Sequence, residues 1–257
     1  PLRAEALGLR GRLLTQVGDI VGAEATLLEA VELAEANRHD ELAADLWLGL
    51  VRLANGRLVD PLRGAAWMQR TRAAQRRIGD PRARRIVVLG EQAALHFHER
   101  QYEAAERVFR TALALHEAVG GDAQGRRQLL NGLALTLEAR GEYAEARSSY
   151  VEALAATEAA LGGEHPEYAR VLFNYAALLT LLGELDEAEP RLRSALAIFT
   201  RAFGATDHIA GRVHIALVEH SLRRGAFDEA IAHAATAVRI YREVLPGDHQ
   251  DLVDAEV

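Results

Sequence analysis

Cysteine is absent from this chain of 257 residues. Disulfides and thiolate metal sites are therefore ruled out, and nothing points to a secreted, stapled fold. Lysine is absent too: all 30 basic residues are arginines, a bias that reads as genome composition more than function. Aromatic residues are scarce at 5%, and alanine and leucine dominate, a composition that suits closely packed helices and suits strands poorly. No stretch approaches 18 apolar residues, so no membrane-spanning helix and no membrane partner are expected. No signal peptide is visible, and the expected location is the cytoplasm. The chain opens on Pro1-Leu2 rather than methionine, which weakens that last reading.

Chemistry is missing as well. There is no HExxH, no serine in a nucleophile elbow, and no phosphate loop: Gly162-Gly163 is not followed by lysine and a hydroxyl residue. The many carboxylates, such as Glu184, Asp186, Glu187 and Glu189, fall on helix exteriors and turns. No enzyme activity, cofactor or metal is expected. A formal charge of −7 argues against a nonspecific nucleic-acid binder. The charge is uneven, however. Between Arg63 and Arg85 stand Arg63, Arg70, Arg72, Arg76, Arg77, Arg82, Arg84 and Arg85, against the acid Asp80. This run is either a solvated helix face or a dock for an acidic partner, another domain or a phosphate-bearing ligand.

What the chain does contain is a period. Gly141-Glu142-Tyr143, Gly183-Glu184-Leu185 and Gly225-Ala226-Phe227 are spaced 42 residues apart, each leading into acids and alanine. Extended towards the N-terminus, the turn positions are Gly18, Gly56, Arg100, Gly141, Gly183 and Gly225. Five residues beyond the turn lie Ala23, Ala105, Ala146, Ala188 and Ala230. Twelve beyond lie Ala30, Ala112, Ala153, Ala195 and Ala237, and nine beyond lie Leu27, Phe109, Tyr150, Leu192 and Ala234. Small residues at fixed places let antiparallel helices approach closely, with larger ones filling the gaps. A period of this length means stacked helical hairpins. The expected helices pair as 2–17 with 20–36, 39–55 with 62–78, 82–99 with 102–118, 124–140 with 143–160, 165–182 with 185–202, and 207–224 with 227–244. The second unit departs from the pattern: Pro61 replaces the alanine five beyond Gly56.

These positions resemble the tetratricopeptide repeat over nearly the whole chain. The stretches His165-Pro166-Glu167-Tyr168-Ala169-Arg170, Asn174-Tyr175-Ala176 and Gly183-Glu184-Leu185-Asp186-Glu187-Ala188-Glu189-Pro190 are similar to the longer, 42-residue variety of kinesin light chains and of many bacterial regulatory and signalling proteins. The resemblance implies an all-α, right-handed superhelical solenoid of about six antiparallel hairpins. Its units would span 1–38, 39–80, 81–121, 122–163, 164–205 and 206–247. Leu245-Pro246-Gly247-Asp248-His249 echoes Leu161-Gly162-Gly163-Glu164-His165, so a seventh unit is expected to start at 248–257, as in a fragment of a longer protein.

The resemblance further implies a protein-interaction scaffold whose first helices line a concave face. Residues expected there are Gln128, Asn131, Leu135 and Glu138; Arg170, Phe173, Asn174, Ala177 and Thr180; and Arg212, Ile215, Glu219 and Arg223, with Phe97, His98, Arg12 and Gln16 in earlier units. Asparagines can pair with a peptide backbone, arginines with carboxylates, and Phe173 with Ile215 can form an apolar pocket. The family's lysine-and-asparagine clamp for C-terminal carboxylates has no counterpart, because the lysines are missing. The alternative is a regulatory or self-association module acting on a neighbouring domain or a second copy. For that reading Trp67, Met68 and Arg70, beside the irregular loop, are candidates for lateral docking; core packing is the other role for Trp67 and Met68. His165, His208 and His249 recur near helix starts, as caps would, too far apart to share an ion.

Overall fold

The computed structural model describes residues 2–58 and 60–244, with the side chains of all of these except Arg57 and Val244. Among the described residues there are twelve α-helices, one π-helical turn and no strand. They are α1 (Leu2–Val17), α2 (Ile20–Ala36), α3 (Asp40–Leu53), α4 (Pro61–Arg77), α5 (Arg82–His98), α6 (Tyr102–Ala118), α7 (Ala123–Ala139), α8 (Tyr143–Leu161), α9 (Pro166–Leu181), α10 (Leu185–Phe203), α11 (His208–Arg224) and α12 (Phe227–Val244). The all-α class and the repeated helix pairing stand as expected. The echo at Leu245–His249 and the seventh unit at 248–257 lie outside the described residues.

Helix starts follow ordinary capping chemistry. Asp19, Asp60 and Asp122 each accept a hydrogen bond from the backbone N–H three residues on, satisfying a donor the helix itself leaves free. The recurring histidines are only partly caps. His165 Nδ1 accepts from Glu167 N at 3.1 Å, but 42 residues later the cap is Asp207, accepting from Ile209 N at 2.8 Å. His208 therefore stands one place further along, where Pro166 stands in the previous unit. His249 is outside the described residues.

The chain forms two compact bodies, Pro1–Arg140 and Gly141–Val257. In the N-terminal body α1 pairs with α2, α3 with α4 and α5 with α6, and each hairpin leans on the next through α2–α3, α4–α5 and α6–α7. In the C-terminal body α9 pairs with α10 and α11 with α12, joined by α8–α9 and α10–α11. The first helices of successive hairpins also touch: α1 with α3, α3 with α5 and α5 with α7 in one body, and α9 with α11 in the other. Within each body, among the described residues, the second helices make no comparable approach to one another. Each body therefore curves towards its first helices, the side where successive elements converge.

The small-residue register accounts for the close pairing. Ala23, Ala105, Ala146, Ala188 and Ala230 are at most 3% exposed, and Ala30, Ala112, Ala153, Ala195 and Ala237 are fully buried. Leu27, Phe109, Tyr150 and Leu192 between them are buried as well, whereas Ala234 is only half-buried. Gly18, Gly141, Gly183 and Gly225 take φ of 78–85° at the turns, which glycine adopts without steric cost. Arg100 occupies the same place with φ 59°, the left-handed conformation forced onto a side chain.

The second hairpin corrects the register read from Gly56. The chain leaves α3 through the π-helical segment Ala54–Leu58, closed by Asp60 N donating to Ala54 O at 3.2 Å, and Gly56 is not a turn of positive φ. Counted from the start of α4, Gly64, Met68 and Thr71 hold the places of Ala105, Phe109 and Ala112 in α6, and all three are buried. A Cβ on Gly64 would fall 2.3 Å from Leu95 Cδ2, so this crossing with α5 has no room even for a methyl group.

Candidate functional site

The inner side of the C-terminal body is built by α9 and α11. On α9, Ala169, Leu172 and Ala176 turn into a core shared with Leu192, Ile198 and Phe199 of α10 and Val213 and Leu217 of α11. That orientation leaves Arg170 exposed, Asn174 half-buried, and Phe173 half-buried against the edge of the same core. On α11 it leaves Arg212, Ile215 and Glu219 exposed, Ile215 at 37%.

The helices bring some of these residues together. The Arg212 guanidinium lies over the Phe173 ring, 5.8 Å from its centroid, so an aromatic face and a cation are joined across two neighbouring first helices. Arg170 Nη2 donates to Glu167 Oε1 at 3.0 Å, and Arg223 Nε to Glu219 Oε1 at 3.1 Å. Both are pairs within one helix and exposed, so they order side chains without contributing much stability. Thr180 is buried and donates to Ala176 O at 3.0 Å, which makes it a structural residue and not a contact for a ligand. Asn174 has a bonding neighbour of its own.

In the N-terminal body, Gln128 on α7 is exposed, while Asn131, Leu135 and Glu138 are half-buried. Asn131 and Glu138 are engaged by neighbours. Arg12 and Gln16 on α1 are exposed. Phe97 packs edge-on against His98, with centroids 5.7 Å apart, and against Tyr102 at 5.6 Å. Burial pushes the His98 pKa down, which holds this ring neutral.

The lateral docking candidates resolve differently. Trp67 and Met68 are buried, at 9% and 3% exposure, in a core they share with Trp47, Leu95 and Val88. Met68 is there because it occupies the large-residue position of the corrected register. Neither side chain is an exposed anchor; core packing is the role they fill. Arg70 is exposed, with its guanidinium 6.0 Å from the Trp47 ring centroid, and Trp47 Nε1 donates to Glu35 Oε1 at 2.9 Å.

Three of the eight arginines in the basic run make inter-helix ion pairs. Arg63 Nη1 donates to both oxygens of Glu24, at 2.9 and 2.8 Å. Arg77 pairs with Asp40 and Arg84 with Asp45. Among the described residues, no group of three or more His, Cys, Asp or Glu is placed to hold a metal ion, and no helix is long and apolar enough to cross a membrane.

The sequence matches the tetratricopeptide repeat over residues 84–158, 125–201 and 174–243, which is more than half of the chain. The chain belongs to the tetratricopeptide repeat family. No curated protein matches it significantly in sequence.

Solved structures share the fold. BtubC (BKLC) from P. vanneervenii superposes with a TM-score of 0.64 at 21% identity, covering 96% of this chain and 91% of that one. The pilF protein of Pseudomonas aeruginosa gives 0.57 at 16%, covering 99% and 96%. A signal-transduction ATPase with numerous domains from Pyrococcus horikoshii, which carries a tetratricopeptide repeat sensor, gives 0.62 at 14%, covering 98% of this chain and 41% of its own. Family membership supports a protein–protein interaction role.

Two arrangements in this tetratricopeptide repeat chain carried no signal in the sequence. Arg147 on α8 donates to Tyr175 Oη at 3.1 Å and to Glu184 Oε1 at 2.9 Å, and Arg191 lies over the Tyr175 ring, 5.2 Å from its centroid. The second is a histidine pair between α11 and α12: His214 Nδ1 and His233 Nδ1 lie 3.1 Å apart, so one ring donates and the other accepts. Burial, then the neighbouring His233 and Arg239, push the His214 pKa down from 6.5 to about 4. His233 is lowered by burial and by Arg193, against Glu229.

The unfolded chain therefore takes up protons below pH 6.5 that the folded chain refuses until about 4, and stability falls as pH drops through that window. The expected loss is about 1–2 kcal/mol, kept small because the pair is half open to water. Urea unfolding at pH 7.5 and 4.5 should show a smaller difference for His214→Gln than for wild type. Equal differences would show that the pair does not titrate in this way.

Proposed function

We propose that the chain is a protein-interaction module that holds an extended peptide or protein segment along the first helices of its hairpins. In the C-terminal body the contacts are Arg170, Phe173, Asn174, Arg212, Ile215 and Glu219; in the N-terminal body they are Gln128, Asn131 and Glu138. The observation that carries the reading is the Arg212–Phe173 stack with Ile215 open beside it: an apolar spot, a cation and a backbone-pairing amide on one curved side. An extended segment offers side chains to the first, carboxylates to the second and peptide groups to the third.

The last three hairpins read as the longer, kinesin-light-chain-like variety. Support comes from the 42-residue spacing of Gly141, Gly183 and Gly225, all at positive φ, and from the likeness to BtubC (BKLC).

The test is a peptide-display selection on the whole chain. Selected peptides are then titrated against wild type and against Asn174→Ala/Arg170→Glu/Arg212→Glu. The expected result is a loss of affinity of at least about tenfold in the variant at unchanged melting temperature, given one or more lost charge-assisted contacts. Unchanged affinity would reject this surface.

A second reading is a regulatory or self-association module acting on a neighbouring domain or a second copy. It is supported by the Pyrococcus horikoshii protein, in which such repeats form a sensor within a larger signalling chain. Light scattering separates the two: a monomer at all concentrations keeps the peptide groove ahead, and a concentration-dependent dimer favours association.

A further inference from the structure

Three arginines of the basic run, Arg72, Arg76 and Arg85, converge on one place. A cleft of about 270 Å³ opens between α4 and α5, lined by Arg72, Gln75 and Arg76 from α4, Asp80 from the turn, and Arg85, Val88, Leu89 and Gln92 from α5. Arg72 and Arg76 are exposed and have no ion-pair partner among the described residues. They stand four apart on α4, side by side on one face, where like charges repel. Arg85 reaches in from α5 and is held only loosely, its Nε 3.9 Å from Asp80 Oδ2. Three guanidiniums against one carboxylate leave the cleft with a net charge of about +2.

The cleft also contains an unsatisfied donor. Gln75 is only 4% exposed, and its Nε2 has no hydrogen-bond partner. A buried amide N–H₂ left unpaired costs free energy that an acceptor in the cleft would restore. Val88 is buried and Leu89 half-buried in the wall, which lowers the local polarity and strengthens any ion pair formed there.

We propose that this cleft is a binding site for a phosphate monoester group. A monoester carries close to two negative charges near pH 7 and three acceptor oxygens, matching the charge excess and supplying acceptors to Arg72, Arg76 and Gln75. A lone carboxylate would neutralise half the excess and offer fewer acceptor positions. The site lies on the α4–α5 junction and shares no residue with the peptide contacts named on α7, α9 and α11. Its ligand is either a small phosphate ester or a phosphorylated side chain of a protein segment, and the recognising chemistry is the same for both.

The experiment titrates the whole chain with inorganic phosphate by calorimetry and by thermal melting, against chloride at matched ionic strength. A phosphoserine peptide and its unphosphorylated form are titrated in parallel. Wild type is expected to bind phosphate saturably. Arg72→Ala and Arg76→Ala, both surface changes that leave the core intact, should each weaken binding about tenfold. Gln75→Leu should weaken it several-fold. Arg82→Ala, an exposed arginine of the same run outside the cleft, should leave it unchanged. A phosphoserine peptide that binds tighter than inorganic phosphate points to a modified protein segment; equal affinities point to a small ester. Phosphate behaving like chloride, or Arg82→Ala weakening binding as much as Arg76→Ala, would overturn the site.

Discussion

Tyr150→Ala is expected to cost about 3–5 kcal/mol, the largest loss from any single truncation considered for this chain. The ring is fully buried on α8 and stacks on Tyr175 of α9, with centroids 5.9 Å apart and planes 28° from parallel. Removing it takes away the large residue between Ala146 and Ala153, two positions that are themselves fully buried and have no side chain with which to fill the gap. It also removes the support beneath Tyr175, which positions the Arg147–Glu184 pair. Neighbours in a hairpin stack lean on one another, so the loss should appear as an earlier, broader unfolding transition in urea, followed by circular dichroism. Tyr150→Phe keeps the ring and should cost only about 1 kcal/mol. If the alanine variant unfolds within about 1 kcal/mol of wild type, Tyr150 is not the keystone that its burial implies.

The second large effect comes from adding atoms rather than removing them. Ala146→Leu and Ala188→Leu are each expected to destabilise by about 1–3 kcal/mol, because three extra carbons must enter a helix crossing with no free volume. Both alanines are fully buried, five residues past glycines of φ 80° and 79°. Ala197→Leu is the control. It lies on the same α10 helix but is exposed, and it should change stability by no more than about 0.5 kcal/mol. Thermal denaturation of the three variants reads the contrast directly. Equal melting temperatures for all three would contradict the packing role of the register.

The contrast also shows which features the sequence makes legible. Helix limits follow from turn glycines, capping aspartates and spaced alanines, because each is a local steric or hydrogen-bonding demand that a particular residue type meets. The second hairpin is not legible from Gly56, because a π-helical turn spaces α3 from α4 and shifts the repeat relative to that glycine. Only the tertiary contact of Gly64 with Leu95 shows that Gly64, and not position 61, holds the small-residue place.

That shift is why Met68 and its neighbour Trp67 lie in the core, although an irregular loop next to a tryptophan suggests an exposed anchor. The candidate surface is legible to the extent that helix periodicity assigns faces: Arg170, Arg212 and Ile215 are outward on the first helices. Periodicity does not place Arg212 over Phe173, pair His214 with His233 across two helices, or strand Gln75 without a partner. Those facts depend on how separate helices are spaced and rotated, and no local pattern encodes them.

The interchangeability of the helix crossings has a consequence for descent. The helices α8, α10 and α12 present buried alanines at the same two places, 42 residues apart, so a duplication of 42 residues is expected to restore the small-residue contacts wherever the copied segment begins. Copying any other length would put bulky groups where alanines belong. Inheritance can thus lengthen or shorten such an array in whole steps while leaving the exposed strip of each new copy free to diverge, and new binding preferences can arise without redesign of the interior.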